Sequence, residues 1–461
     1  MYRVSEYNIY LKMKKEPDKN LIIQGIRGSF DVVDDSIVEI LKKAEKDKEA
    51  LNSLSKENIE ILEKRGYITK LTKEEEYELI KKVSHTLNTV SRKNICITII
   101  PTYNCNFRCE YCFEQNLFKK GAEFLNKKIS KETVDAVFKQ LNKFKEQKMK
   151  ISGVYLFGGE PLLESNKDIV DYICKKCREN EIPISCISNG YGLDKYIDLI
   201  KEYKFEKVQI TLDGIGEEHD KRRFLVGGKG TYDKIKSNIT LALENGINIT
   251  LRTNVNKKNK DAIKALIDEY KKEGWVDKEN FSYYFKTTLK CYEEDFGNAL
   301  SDVELMRQLA EYVGTDIERF RFNSIYNGVA MRIKYMLENN SFAPLQSGFC
   351  GANSGMYTID PFGDIYPCWD VLAEEECKIG TVNNETGEFV LNAQHNIWKE
   401  RTVDKIDDCN KCKYMFFCGG GCSAQARVLN NDINKVFCDD FTLLFDEVVV
   451  DVCENFLARK R

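Results

Sequence analysis

Long apolar runs are missing from this sequence, and so is a marked excess of charge of either sign. No hydrophobic stretch approaches the roughly 18 residues of a membrane-spanning helix, so we expect no membrane segment. The 461 residues carry 70 Lys plus Arg against 73 Asp plus Glu, which disfavours nucleic-acid binding through bulk charge. Residues 1–6 lack the apolar core of a signal peptide, so we expect a cytoplasmic protein.

Histidine is also scarce, while cysteine is abundant. Only His85, His219 and His395 are present, which argues against an active site built from several histidines. Seventeen cysteines are present, and ten of them fall into two spaced groups. In a reducing cytosol, such grouping indicates metal or cluster ligation rather than disulfide bonds.

The first 90 residues predict a small winged-helix-like module. Residues 7–11 and 21–26 alternate like short strands, residues 30–34 lead into two short helices at 38–44 and 58–64, and the second helix is followed by Gly66. A longer helix follows, with Thr72 and Glu75 spaced as a capping box. A chain of this length should hold two or three domains, and this module is the first.

Residues 91–300 alternate between strand-like and helix-like segments, which predicts parallel β/α units. The predicted strands are 95–100, 153–157, 184–188, 207–212, 248–254 and 281–286. We therefore expect an α/β protein with a partial (β/α)6 TIM-like barrel, whose chemistry lies at the C-terminal ends of its strands. A helical connector over 301–345 and a cysteine-rich domain over 346–461, closed by a helix at 441–457, complete the organisation.

The first cysteine group follows the first predicted barrel strand and comprises Cys105, Cys109 and Cys112. Three thiolates can hold a four-iron cluster and leave one iron open to chelate an amino and a carboxylate group, although a zinc ion with a water ligand is the alternative. The CxxxCxxC spacing, with Tyr111 at the aromatic position, resembles the signature of the radical S-adenosylmethionine (radical SAM) superfamily. The resemblance covers about residues 95–290.

Further segments strengthen this resemblance. The Gly158-Gly159-Glu160-Pro161 segment matches the GGEP motif of the family, although alone it would be read as an ordinary turn. The resemblance implies that Gly158, Gly159 and Glu160 bind the methionine amino group of S-adenosylmethionine. It also implies that other parts of this cofactor contact Ser188, Asn189, Thr211 and Arg252. Residues 219–223 resemble a segment of the peptide-modifying branch, and a solvated charged turn is the alternative.

The second cysteine group resembles the SPASM domain, which holds auxiliary clusters in radical enzymes that mature peptides and proteins. Its members are Cys350, Cys368, Cys409, Cys412, Cys418, Cys422 and Cys438. The resemblance implies one four-iron cluster on Cys409, Cys412, Cys418 and Cys438, and another on Cys350, Cys368 and Cys422. The fourth ligand of the latter would be Cys377, Cys291, a non-cysteine group or a substrate thiolate. A zinc ribbon is the alternative.

Together these resemblances imply S-adenosylmethionine and three four-iron clusters as cofactors, with an external one-electron reductant of the flavodoxin or ferredoxin class. Residues 1–90 loosely resemble an element that binds the leader of a ribosomal precursor peptide as an added edge strand, while DNA binding is the rival role. We therefore expect an enzyme that forms thioether cross-links, from cysteine sulfur to carbon, in such a peptide. No catalytic side chain is assigned, and no membrane or nucleic-acid partner is expected.

Other functions fit parts of the same pattern. The enzyme alternatives are a sulfatase-maturase-type formylglycine generator and a carbon–carbon cross-linking peptide maturase. The non-enzyme alternative is an iron–sulfur or zinc scaffold that binds a peptide.

Overall fold

A computed structural model describes residues 1–288, 297–313, 324–341 and 343–460. Contacts divide the chain into two compact units. The terminal unit comprises Met1–Val90, Val313–Cys350 and Arg401–Arg461, and the barrel unit comprises Ser91–Tyr312 and Gly351–Glu400. None of the described helices is both long and apolar enough to pass through a bilayer.

The secondary structure follows in chain order. The strands are β1 Arg3–Val4, β2 Asn8–Lys12, β3 Lys19–Gln24, β4 Ser29–Asp34, β5 Ile68–Thr69, β6 Asn94–Ile99, β7 Lys150–Leu156, β8 Ile184–Ser188, β9 Lys207–Thr211, β10 Ile249–Val255, β11 Phe281–Thr287, β12 Met356–Ile359, β13 Asp364–Tyr366, β14 Gly380–Asn383 and β15 Glu388–Leu391. The helices are α1 Asp35–Ala44, α2 Lys56–Arg65, α3 Lys73–Ser91, α4 Ala122–Asn126, α5 Lys131–Glu146, α6 Lys167–Glu179, α7 Ile197–Glu202, α8 Glu217–Arg222, α9 Tyr232–Glu244, α10 Ala262–Lys272, α11 Asp302–Val313, α12 Ser324–Asn339, α13 Ala393–Lys399, α14 Met415–Cys418, α15 Ser423–Asn430 and α16 Phe441–Lys460.

The N-terminal part of the terminal unit contains the predicted strands and helices. Strands β2, β3 and β4 form an antiparallel sheet in that order, so β4 is an edge strand rather than only a lead-in to helix α1. The capping box is confirmed, because the Thr72 N–H donates to Glu75 Oε2 (2.8 Å) and the Glu75 N–H donates to Thr72 Oγ1 (3.2 Å). These bonds satisfy two of the unpaired donors at the start of α3.

The terminal unit also contains the C-terminal cysteine-rich segment, and the two parts share a core. Tyr7, Ile26 and Ile80 of the N-terminal part pack in one hydrophobic cluster with Ile406 and Phe416. Their burial removes apolar surface from water at about 25 cal/mol per Å². The N-terminal module therefore packs directly against the segment that contains Cys409.

The barrel unit confirms the predicted α/β class. Strands β6 to β11 are parallel and adjacent in chain order, with helices between them, as in a partial (β/α)6 barrel. Apolar residues of these strands, such as Ile97, Ile99 and Ile210, are fully buried, as expected for a parallel sheet with a packed core. Each predicted strand is present within a few residues of its expected ends.

Residues 351–400 extend the same sheet beyond β6. Strand β12 pairs with β6 in parallel, and β13 to β15 continue as antiparallel neighbours. The helical connector predicted over 301–345 corresponds to α11 and α12, and part of the segment lies outside the described residues. Cys291, one of the candidate fourth ligands, also lies outside the described residues.

Candidate functional site

A cavity of about 200 Å³ in the barrel unit opens at the C-terminal ends of the parallel strands. It is lined by all three cysteines of the first group and by every residue predicted to contact S-adenosylmethionine. These lining residues are Cys105, Cys109, Cys112, Tyr111, Gly158, Gly159, Glu160, Ser188, Asn189, Thr211 and Arg252. The fold thus brings together residues that lie far apart in the sequence, because each follows or ends a different strand of one sheet.

Glu160 links two strand ends within this cavity. Its Oε1 accepts hydrogen bonds from the Ser188 hydroxyl (2.7 Å) and the Leu162 N–H (2.8 Å), and its Oε2 accepts from the Asn189 N–H (2.6 Å). Burial raises the pKa of this carboxyl, while those bonds oppose the shift. The arrangement holds a carboxylate in place at the cavity wall, where it can pair with an ammonium group.

The two glycines before Glu160 let the cysteine loop approach closely. Gly159 has a φ of +49°, and a Cβ there would overlap the Asn104 carbonyl oxygen and lie 2.7 Å from the carbonyl carbon of Tyr103. The Glu160 N–H also donates to the Asn104 carbonyl (2.9 Å). The glycines were expected to let a ligand approach the backbone closely. The structure shows that the absence of a side chain at Gly159 makes room for the backbone that leads into Cys105.

The three thiols of the first group suit a metal centre. The Phe107 N–H donates to Cys105 Sγ (3.4 Å), and a backbone N–H from Glu114 bonds Cys112. Burial raises the pKa of all three thiols, so they are neutral unless a metal takes them as thiolates. Three neighbouring thiols beside a carboxylate fit a four-iron cluster whose open iron binds an amino acid. Among the described residues, no three His, Cys, Asp or Glu side chains converge as a single metal ion would require.

A buried polar network supports the cysteine loop from behind. Arg223 donates to the Tyr111 hydroxyl (2.7 Å), and Tyr111 in turn donates to Asp213. His219 and Arg222 are also buried, so the solvated-turn alternative for this segment is wrong at these positions. Arg108 and Glu110 N–H groups donate to the Phe224 and Arg222 carbonyls, which fixes the loop against the segment.

Several other lining residues were not among the predicted ligands, and four of them are charged or aromatic groups of interest. Burial raises the pKa of Glu114 to about 7 and that of Asp370 to about 6, and both carboxyls line the cavity with Arg223 and Trp369. The Asp370 Oδ2 lies 3.7 Å from Cys368 Sγ. Glu114 and Asp370 each follow a predicted ligand cysteine by two residues, which is the one sequence signal that could have indicated them.

In the terminal unit, the C-terminal cysteines also come together. Cys409 interacts electrostatically with Cys418, Cys412 and Cys438, and these four are the quartet expected to share one cluster. Backbone N–H groups of Gly420 and Gly421 bond the Cys418 thiol. Amide donors of this kind favour the thiolate form that binds iron.

A run of three glycines makes this grouping possible. Gly419, Gly420 and Gly421 all have positive φ, at +76°, +85° and +72°. A Cβ on Gly419 would lie 2.6 Å from the Gly348 carbonyl oxygen, and one on Gly421 would overlap that of Phe437. The run therefore lets the segments that end in Cys350 and Cys438 pack against the loop between Cys418 and Cys422.

The remaining predicted trio is divided between the units. Cys350 and Cys422 belong to the terminal unit, and Cys368 belongs to the barrel unit. Their grouping in one cluster stays a prediction. Cys377 is buried in the barrel unit, with its Sγ 4.0 Å from Glu374 Oε2.

Comparison with known proteins agrees with this geometry. The sequence pattern described as the Radical SAM superfamily matches residues 99–270. Residues 99–270 therefore form a radical SAM domain. The matched range includes the first cysteine group and every predicted S-adenosylmethionine contact, whereas Trp369 and Asp370 lie outside it.

Two relatives and one solved structure extend the likeness beyond this radical SAM domain. A cysteine-type anaerobic sulfatase-maturating enzyme of Clostridium novyi is 24% identical over 77% of this chain and 95% of its own. The subtilosin biosynthesis protein AlbA of Bacillus subtilis is 25% identical over 69% of this chain and 65% of its own. The structure of Streptococcus suis SuiB bound to S-adenosylmethionine matches 95% of this chain and 98% of its own, with a TM-score of 0.50 and 17% identity, which is a likeness of fold.

Proposed function

We propose that this radical SAM enzyme forms thioether cross-links, from cysteine sulfur to carbon, in a ribosomally synthesised cysteine-containing precursor peptide. The observation that carries the proposal is that its N-terminal sheet ends in an edge strand, β4, which a peptide can extend. The AlbA relative, named for bacteriocin biosynthesis, supports a peptide substrate.

The edge of β4 offers regular hydrogen-bonding groups. The Asp35 N–H donates to the Asp18 carbonyl (3.0 Å), and the Lys19–Asp34 pair comes next in the antiparallel register. In an antiparallel ladder, residue pairs that exchange hydrogen bonds alternate with pairs that do not, and residues of the second kind direct their N–H groups to the other side of the strand. The N–H groups of Phe30, Val32 and Asp34 therefore point away from β3. An extended leader peptide would add there as a fourth strand, held by main-chain bonds.

The reaction balances with one S-adenosylmethionine for each link. The link removes one hydrogen from a thiol and one from a carbon, and S-adenosylmethionine leaves as methionine and 5′-deoxyadenosine. Cys105, Cys109 and Cys112 would hold a four-iron cluster, and S-adenosylmethionine bound there would supply a 5′-deoxyadenosyl radical able to abstract the carbon-bound hydrogen. An external one-electron reductant of the flavodoxin or ferredoxin class would supply the electron that cleaves S-adenosylmethionine. An auxiliary cluster on the C-terminal cysteines would accept the electron released when the carbon radical bonds to the thiolate.

The side chains of the cavity bind, orient and shield the reactants. Glu160 pairs with the ammonium of S-adenosylmethionine, and the polar groups of Ser188, Asn189, Thr211 and Arg252 orient the rest of it. Aromatic rings form one wall, because Phe157 stacks on Phe113 and lies 4.9 Å from Trp369 between ring centroids. Such a wall excludes water from a reactive radical.

Asp370 is the group we propose as acceptor of the substrate thiol proton. Its carboxyl lines the cavity, and its raised pKa of about 6 leaves it ionised yet more basic than an exposed aspartate at neutral pH. In this proposal Asp370 receives the proton at a carboxylate oxygen before sulfur bonds to carbon.

A second candidate is the oxidation of a cysteine in a sulfatase to formylglycine. The relative from Clostridium novyi, which covers 77% of this chain, favours it. That product contains a new aldehyde and no cross-link, so the two functions are chemically distinct.

The test is an anaerobic reaction of reconstituted enzyme with S-adenosylmethionine, dithionite and a cysteine-containing candidate precursor peptide. We expect 5′-deoxyadenosine, a mass loss of two hydrogens per link and the loss of alkylatable thiols. A Cys105/Cys109/Cys112 triple alanine variant is the control and should form no 5′-deoxyadenosine. Substrate thiols that all remain free while 5′-deoxyadenosine accumulates would refute the thioether proposal, and an aldehyde that reacts with hydrazine would favour the second candidate.

A further inference from the structure

Arg401 is a buried cation in the terminal unit whose hydrogen-bonding partners are all neutral. It is only 1% exposed. Its Nη1 donates to the Gly421 carbonyl (3.0 Å), and its Nη2 donates to the carbonyls of Gly420 (3.1 Å) and Lys435 (2.9 Å). Its Nε donates to the Ile433 carbonyl. These are all the hydrogen bonds that it forms with the described residues, and none is to a carboxylate.

A charge in this position needs a counter-charge. Burying an ion without a partner of opposite sign costs several kcal/mol, so arginine is rarely buried unless paired. Backbone carbonyls satisfy the hydrogen-bonding capacity of the guanidinium but carry no net charge. The described carboxylates form no ion pair with Arg401, so the compensating anion must come from another kind of group.

Several C-terminal cysteines lie near the guanidinium. Burial lowers the pKa of Arg401, and the groups that oppose this shift are the thiols of Cys409, Cys422, Cys350 and Cys418. A Cβ on Gly420 would lie 3.5 Å from Arg401 Nη1 and 3.8 Å from Cys409 Sγ, so the two groups flank one backbone position. Arginine remains protonated under all ordinary conditions, so its charge is permanent.

We infer that Arg401 is the buried counter-charge of the iron–sulfur centre expected on Cys409, Cys412, Cys418 and Cys438, and that it raises the reduction potential of that centre. A four-iron cluster with thiolate ligands carries net negative charge, which increases when it accepts an electron. A fixed cation beside it stabilises the reduced state more than the oxidised state, most strongly at low local dielectric. The inference rests on the proposed function, because that function includes an auxiliary cluster at these cysteines.

Arg332 provides an internal comparison. It donates to the Gln346 side-chain carbonyl (2.7 Å) and to the Gly328 carbonyl (2.9 Å). Burial lowers its pKa too, but Cys418 is the one thiol that opposes the shift. The electrostatic effect of Arg332 on the centre should therefore be smaller than that of Arg401.

The experiment uses the full chain with Cys105, Cys109 and Cys112 replaced by alanine, so that only the C-terminal cysteines can bind clusters. In this background, Arg401→Gln, Arg401→Lys, Arg332→Gln and the exposed Arg459→Gln are reconstituted with iron and sulfide. Iron content is measured first, and the midpoint potential is then determined by anaerobic titration followed by electron paramagnetic resonance. If the background protein itself bound no iron, the auxiliary-cluster assignment would fail and the inference with it, whereas the first cluster and its chemistry would be untouched.

We expect Arg401→Gln to keep its iron and to have a lower midpoint potential. A tenfold change in the ratio of reduced to oxidised centre at fixed potential is the expected scale, about 59 mV for a one-electron couple. Arg401→Lys should remain near the background protein, Arg332→Gln should shift less, and Arg459→Gln should not shift. Loss of iron in the Gln variant but not in the Lys variant would also support a requirement for charge.

Three results would overturn the inference. The first is an unchanged potential in an iron-replete Arg401→Gln protein. The second is loss of iron in both Arg401 variants, which would assign the residue a purely structural role in holding the loop carbonyls. The third is a shift in Arg332→Gln as large as that in Arg401→Gln, since proximity to several cysteines is what distinguishes Arg401.

Discussion

Replacing Gly159 with alanine should lower the stability of the protein by more than the cost of a positive φ alone, because it also displaces the cysteine loop. Two costs add at this position. The φ of +49° lies in the left-handed region, where a non-glycine residue costs about 1–2 kcal/mol. The added Cβ would also overlap the Asn104 carbonyl oxygen, and forced overpacking of this kind costs about 1–3 kcal/mol.

Gly216 is a partial control for the overlap, because its φ is also positive although its ψ of −125° lies outside the left-handed region. Its φ is +54°, and a Cβ there would meet nothing within 4 Å. Gly216→Ala should therefore show a conformational cost without the overlap. The overlap at Gly159 should contribute about 1–3 kcal/mol, and domains of about 150–250 residues lose roughly 2–4 °C of Tm for each kcal/mol.

The assay compares both variants with the wild-type protein in apparent Tm, iron content after reconstitution and 5′-deoxyadenosine formation. The strained contact involves the backbone just before Cys105, so Gly159→Ala should lose iron at the first site and form little 5′-deoxyadenosine, whereas Gly216→Ala should retain both. Equal Tm losses with full iron content in the two variants would refute the role assigned to Gly159 in seating the loop.

Three further predictions concern the cofactor carboxylate, the peptide edge and a buried histidine. Glu160→Gln should raise the Kd for S-adenosylmethionine by tenfold or more, because hydrogen bonds to a charged group contribute about 1.5–3 kcal/mol. The control is Glu164→Gln, which changes an exposed residue. Equal affinities of the two variants in equilibrium binding would contradict the assignment. Val32→Pro should weaken binding of the leader segment of a precursor peptide about tenfold, measured by fluorescence anisotropy, because it removes an outward N–H from β4. Val32→Ala keeps that N–H and should bind normally, and tight binding by the proline variant would exclude edge addition at this position. Burial lowers the pKa of His219 well below its usual value, so the folded state favours the neutral ring and loses stability as pH falls through the unfolded value of about 6.5. The Tm advantage of the wild type over His219→Gln should therefore shrink between pH 7.5 and 5.5, and an advantage independent of pH would show that the buried ring does not titrate on unfolding.

Local signals in the sequence were sufficient for the order of the barrel strands and for the motif residues at their C-terminal ends. The apolar runs of β6 to β11 alternate with amphipathic helices, and each motif begins where a strand ends. Parallel strands present their C-terminal ends at one edge of the sheet, so Cys105, Glu160 and Ser188 had to lie near one another once the barrel was assumed. The capping box at Thr72 and Glu75 was predictable because its hydrogen bonds join residues three positions apart.

Contacts between distant segments could not be read in this way. A charged stretch of sequence gives no local indication that its residues are buried, so the sequence left a solvated turn possible at His219 and Arg222. The structure shows that both residues are buried behind the cysteine loop. Asp370 lies about 200 residues beyond the motifs whose cavity it lines, and only the pairing of β12 with β6 brings its segment into the same sheet.

The cysteine spacing by itself indicated an iron–sulfur protein, since ligands a few residues apart on a loop can converge through local geometry. It did not determine which charges surround them. The buried Arg401 and the close approach at Gly159 and Gly421 depend on backbone segments brought together by packing, and only the tertiary structure decides those contacts. Ligand type is a local property of a sequence, whereas the electrostatic environment of a ligand is the sum over everything that the fold places nearby.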